Sequence, residues 1–151
     1  MEVVRALDSS RRTAAMVEVT VSYEGNLRCR AVHGPSGSTI LTDAPVDNHG
    51  KGEAFSPTDL LAAALPACMM TIIGIVGERH GLRLEGMRAT TRKEMSTEGP
   101  RRIRSLRTRI EVPLPASHPR REELERAAHT CPVHKSLASE IDAGVEFVWN
   151  G

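Results

Sequence analysis

Residues 56–81 read SPTDLLAAALPACMMTIIGIVGERHG. Ser56 is a favoured helix N-cap, Pro57 suits the first helical position, and Asp59 stands where the acid of a capping box belongs. Between Leu60 and Val76 almost every residue is apolar. The stretch predicts one long helix reaching about Arg79, with Gly81 as its C-terminal stop. A helix apolar on all sides belongs at the centre of a structure. Pro66 and the inner glycines, the modest length and the charged GERHG end argue for a core helix over a membrane span. Pro66 brings no N–H, so it should kink the helix or free a carbonyl near Ala62. Cys68 lies in the middle of this segment, and it is either packing or a reagent.

Upstream of the helix the pattern changes period. MVEVTVSY, from Met16, sets Val17, Val19 and Val21 against Glu18, Thr20 and Ser22, the alternation of a half-buried strand. EGN turns the chain, LRCRAVH returns it, GPSG turns again, and STILTD gives a third short strand. APVDNHGKGEAF then reads as a loop of about a dozen residues. Residues 1–15 have no clear period and are set apart as an N-terminal extension; residues 16–151 are read as one domain.

Downstream, GMRATTRKEMS and RRIRSLRTRIEVP alternate on either side of STEGP and predict a long hairpin. Its arginines are read as a solvated face paired with acids such as Glu94 and Glu111. His118-Pro119 is expected to open a helix with Pro119 at its first position, carrying Leu124, Ala127 and Ala128 inward. Pro132 must start a new short helix, capped by Thr130 or Cys131. GVEFVW, residues 144–149, is a last strand. The order βββ–α–ββ–α–α–β makes an α+β fold with helices packed on mainly antiparallel sheet.

Composition narrows the function. The net charge is +1, and only four of 151 residues are aromatic. That balance argues against a nucleic-acid binder, which needs a basic field and stacking surfaces. The N-terminus lacks the apolar core of a signal peptide. Three widely spaced cysteines, Cys29, Cys68 and Cys131, do not make a secreted disulfide framework, so a reducing cytoplasm is expected. His129, Cys131 and His134 fall within six residues, yet Pro132 interrupts them and no CxxC or HExxH spacing occurs, so no metal site is assigned.

Cys131 opens a predicted helix in TCPVHKS, where free N–H groups and the helix dipole favour a thiolate. Cys68 and Cys131 together suggest a reversible pair. SPTDLLAAALPACMMT, followed some sixty residues later by AAHTCPVHKSL, resembles the OsmC/Ohr family of thiol-dependent peroxidases, and the likeness runs from about Val17 to Trp149. The resemblance implies an OsmC-like intertwined homodimer with sites at the subunit interface. It implies no cofactor, a hydroperoxide substrate and an external dithiol reductant. Cys68 matches the peroxidatic cysteine and Cys131 the resolving one. An arginine from the N-terminal hairpin should approach the thiolate; Arg28 is the first candidate and Arg30 the second. Cys29, between them, is read as filler. Family peroxidases carry Glu ten positions before the reactive cysteine, and Thr58 stands there in this chain. Glu53 and Asp59 are the acids left to orient the arginine, with Asp59 also wanted as the capping acid. Met69 and Met70 would line the pocket. The other reading is a non-catalytic protein of the same fold that binds a small lipophilic or thiol-reactive ligand.

Overall fold

A computed structural model describes residues 16–151. The expectation for residues 1–15 lies outside them. Two three-stranded sheets and three helices follow in the order foreseen. The first sheet holds β1 (Val19–Gly25), β2 (Arg28–His33) and β3 (Thr39–Asp43), antiparallel throughout. Asn26 and Leu27 turn β1 into β2 with φ of 53° and 61°. Register sets Tyr23 opposite Cys29, Val21 opposite Ala31 and Arg28 opposite Asp43. One face therefore carries Val19, Val21, Tyr23, Cys29, Ala31 and Ile40, and the other carries Arg28, Arg30 and Asp43.

The central helix α1 spans Pro57–Arg79. Ser56 Oγ accepts the Asp59 N–H (3.1 Å) while Asp59 Oδ2 accepts the Ser56 N–H (2.9 Å), the expected capping box. At the far end the Gly81 N–H reaches Glu78 O (3.1 Å) and the Leu82 N–H reaches Gly77 O (2.9 Å), with Gly81 at φ 64°. This is a Schellman closure with Gly81 one place beyond the cap. The helix runs unbroken through Pro66, which is buried.

The second sheet orders β4 (Arg88–Met95), β5 (Ile103–Val112) and β6 (Val145–Trp149). β4 and β5 form the expected hairpin, but β6 runs parallel to β5. Parallel pairing needs a long crossover. Here the crossover contains α2 (Arg121–Ala128) and the single turn α3 (Pro132–Lys135). α2 begins two residues later than expected. The Arg121 N–H closes a turn on His118 O (3.0 Å), which places Pro119 at the second position of a β-turn, and Arg120 becomes the cap. The core joins Leu65, Met69 and Ile73 of α1 to Leu106, Ile110 and Val112 of β5 and Leu124 and Ala128 of α2. Arginines of the outer face pair with acids: Arg104 with Glu94 (2.5 Å), Arg88 with Glu111 (3.7 Å).

The expectation of a helix buried on all sides is not met within one chain. By length and composition α1 could cross a bilayer, and only 28% of its most apolar 18-residue window is buried. Ala63, Ala67, Thr71 and Ile75 form an exposed stripe along it. Val19, Val21 and Tyr23 of the first sheet are 55%, 60% and 66% exposed, and that sheet packs closely on neither α1 nor the second sheet.

Candidate functional site

Cys131 is fixed by the junction of two helices. α2 ends as the Thr130 and Cys131 N–H groups bond back to Ala127 and Ala128 (2.9 and 3.2 Å), and α3 starts at once with Pro132. Cys131 is the N-cap of α3, and its Sγ accepts the His134 N–H at 3.4 Å. The side chain is completely buried. Cys68, half-buried on α1, lies beside it. Burial pushes the Cys131 thiol up, the neighbouring Cys68 sulfur pushes it further, and the N–H groups of His134 and Val133 offset part of this. Cys131 is thus held as a neutral thiol facing a second sulfur. Cys29, Cys68 and Cys131 are all free.

Along α3, next in sequence to Cys131, opens an apolar cleft of about 410 Å³, walled by Leu61 of α1 and by Pro132, Val133, Ser136, Leu137, Ala138 and Ile141. Leu61 lies seven residues before Cys68, two turns along the same face of α1. The chemistry at hand is sulfur chemistry, a half-buried thiol beside a buried one. The His129 and His134 rings meet edge to face, with centroids 5.7 Å apart. Among the described residues no three His, Cys, Asp or Glu side chains gather as metal ligands would.

Arg28 and Glu53, both singled out from sequence, do meet. One guanidinium nitrogen, Nη2, donates to Glu53 Oε2 and to Asp43 Oδ2 (3.4 Å). The bond to Glu53, together with the charges of Asp43 and Glu53, holds the arginine above its ordinary value against partial burial. Asp43 is fully buried. Its carboxyl is held below the usual range, first by the Glu53 N–H (3.0 Å) against the effect of burial, then by Arg28 and the N–H groups of Lys51 and Ala44. Arg30 instead pairs with Glu24 (2.5 Å).

Asp59 is committed elsewhere. Beyond its capping bonds, Oδ1 accepts from Lys93 Nζ at 2.6 Å, and the same ammonium donates to Thr58 Oγ1 at 2.8 Å. Burial raises the Asp59 carboxyl, but Lys93 and Ser56 outweigh it and leave it lowered. A lysine therefore covers the position ten residues before Cys68, where an acid was expected. Asp43 and Lys93 were both missed from sequence. A polar signal did exist for Lys93, since alternation in β4 places it with Ala89 and Thr91 on the face turned to α1. Asp43 gave no local signal; its partner Arg28 lies fifteen residues away.

The two clusters do not share one face of α1. Glu53, Asp59, Ala62, Ala63 and Pro66 line a second cleft against β4. At about 100° per residue, Cys68 is turned about 180°, 120° and 160° away from Asp59, Ala62 and Pro66 in turn. No hydrogen bond or ion pair among the described residues links Arg28, Asp43 or Glu53 to either thiol.

The family model described as OsmC-like protein matches residues 50–146. A solved structure from Psychrobacter arcticus 273-4, of a protein named for osmotic stress induction and detoxification response, is 41% identical. Its TM-score is 0.82, over 88% of this chain and 96% of that one. An organic hydroperoxide resistance protein, OsmC, of Legionella pneumophila superposes with TM-score 0.71 at 17% identity, over 91% of this chain and 99% of that one. An OsmC-like protein of Mycoplasma pneumoniae gives TM-score 0.76 at 17% identity, with the same two coverages, 91% and 99%. These last two speak for the fold. No curated protein matches the sequence.

Proposed function

The chain belongs to the OsmC-like protein family, and on that premise we propose that it is a cysteine-based peroxidase that reduces organic hydroperoxides. The observation that carries this reading is the half-buried Cys68 set against a neutral, buried Cys131 beside an apolar cleft. The Cys68 thiolate attacks the outer oxygen of the hydroperoxide. The O–O bond breaks, the alkoxide leaves as alcohol after taking a proton, and Cys68 becomes a sulfenic acid. The Cys131 sulfur then attacks Cys68 and expels water, forming a disulfide. A dithiol reductant returns both thiols and leaves as its own disulfide. The raised Cys131 suits this division of labour: it stays protonated while Cys68 reacts, and it is already in place to resolve.

A thiolate in an apolar recess needs a cation. Arg28, paired with Glu53 and Asp43, is the proposed one, and it comes from a second copy of the chain. Two features support a homodimer: the bare apolar face of the first sheet and the exposed stripe of α1. The reducing cytoplasm is the proposed compartment, in keeping with three free thiols.

The apolar cleft also favours a second reading, a carrier of a small lipophilic or thiol-reactive ligand. Cys131→Ser separates the two. A peroxidase loses turnover and accumulates Cys68 sulfenic or sulfinic acid, seen by mass spectrometry after hydroperoxide. A carrier keeps its ligand affinity and shows no peroxide-dependent change at Cys68.

A further inference from the structure

Arg28 is held by a single nitrogen. Nη2 serves both acids, while Nε and Nη1 donate to nothing among the described residues. A guanidinium offers five donors in a flat fork, so one edge is anchored and the other remains available to an anion. The two anchoring acids are unlike each other. Glu53 sits on a loop with its side chain 58% exposed; the Asp43 side chain is 0% exposed. Asp43 stands directly across the β2–β3 ladder from Arg28. Its backbone N–H donates to Phe55 O (3.1 Å), and its Oδ2 accepts the Glu53 N–H. The aspartate therefore ties the loop carrying Glu53 to the strand carrying Arg28.

Asp43 Oδ1 is buried and makes no hydrogen bond of good geometry. A buried carboxylate with an unmet oxygen is costly unless a cation answers it. Arg28 is the only cation paired with it among the described residues. The position of Asp43 fits a charge kept to aim another charge.

We propose that Asp43 is the positioning residue that fixes Arg28, with Glu53 as the exchangeable partner that yields when the guanidinium engages the thiolate or the peroxide. This deepens the peroxidase reading and rests on it: Asp43 touches no substrate and acts through Arg28.

The test is the pH profile of Cys68 alkylation by iodoacetamide in the reduced dimer, followed by mass spectrometry and read beside the rate of Cys68 oxidation by cumene hydroperoxide. Arg28→Ala is expected to move the alkylation midpoint up by about one unit and to slow oxidation at least about tenfold. Asp43→Asn is expected to reproduce most of that shift, and to add nothing in an Arg28→Ala background. Glu53→Gln is expected to give a smaller shift. If Arg28→Ala shifts the profile and a folded Asp43→Asn does not, the inference is overturned while the site reading stands. If Arg28→Ala shifts nothing, Arg28 is outside the thiol site, and the inference falls with it. A wild-type protein that consumes no hydroperoxide sinks the peroxidase reading, yet the alkylation profile still reports on Arg28 and Asp43. Should Asp43→Asn not fold, nitrogen NMR of the Arg28 guanidinium in Glu53→Gln decides. Restricted rotation at Nη2 means Asp43 holds the group unaided; free rotation overturns the inference.

Discussion

Lys93 and Asp59 show how much one pair of side chains redirects the site. Asp59 had two candidate roles, capping acid or partner of an arginine. The structure commits it to the Ser56 cap and to Lys93 (2.6 Å), which leaves Glu53 to Arg28. The sign of its pH effect follows. The Asp59 carboxyl is lowered in the native state, so its stabilising bonds are complete above the ordinary aspartate value of about 3.9 and are lost as pH falls through the lower native value. Asp59→Asn should therefore be less stable than wild type at pH 7 but lose less on acidification. Thermal melts at neutral and acid pH check this, and parallel curves for the two proteins would contradict it. The cysteines stood out in the sequence because two motifs carry them, whereas Arg28 and Glu53 were candidates that the family resemblance suggested beside Arg30 and Asp59. Asp43 and Lys93 were not, because each finds its partners through register between segments fifteen to thirty-five residues apart.

At the scale of elements, α1 was the most legible part of the chain. Its cap, its proline start and its glycine stop are all local signals, and each falls within one residue of its expected place. The direction of β6 was not legible. GVEFVW alternates in the same way whether its neighbour runs with it or against it, and only the crossover through α2 and α3 decides. The onset of α2 was misplaced because proline suits both a first helical position and the second position of a turn. Pro66 gives a test. Within a helix, proline costs about 3 kcal/mol relative to alanine. Trimming its buried ring loses roughly two methylenes at about 0.8 kcal/mol each. Pro66→Ala should thus gain up to about 1.4 kcal/mol. Since Pro66 faces the cleft away from Cys68, turnover should not change. A lower melting temperature would refute the energetic argument. Lost turnover in a stable protein would mean that the helix path through Pro66 sets the thiol.

At the scale of the molecule, one chain leaves much apolar surface open. The bare apolar face of the first sheet and the largely uncovered central helix are the surfaces on which the proposed homodimer would close. The homodimer was expected from the family resemblance, and a helix apolar on every side is consistent with it. What the sequence could not specify was which surfaces remain open. Val21→Asp places a charge in the middle of the bare face. It should reduce the solution mass from twice the 16.5 kDa of one chain to 16.5 kDa, and peroxide reduction should fall with it, since the Arg28 cluster and Cys68 would part. A Val21→Asp dimer with full activity would place the interface elsewhere. The central claim, that Cys68 and Cys131 are a working redox pair, is tested most directly by counting thiols before and after one equivalent of an organic hydroperoxide, with the bridge located by mass spectrometry. The account expects rapid loss of two thiols, a Cys68–Cys131 disulfide and an untouched Cys29. Survival of all three thiols would contradict it and make Cys68 part of the packing of α1.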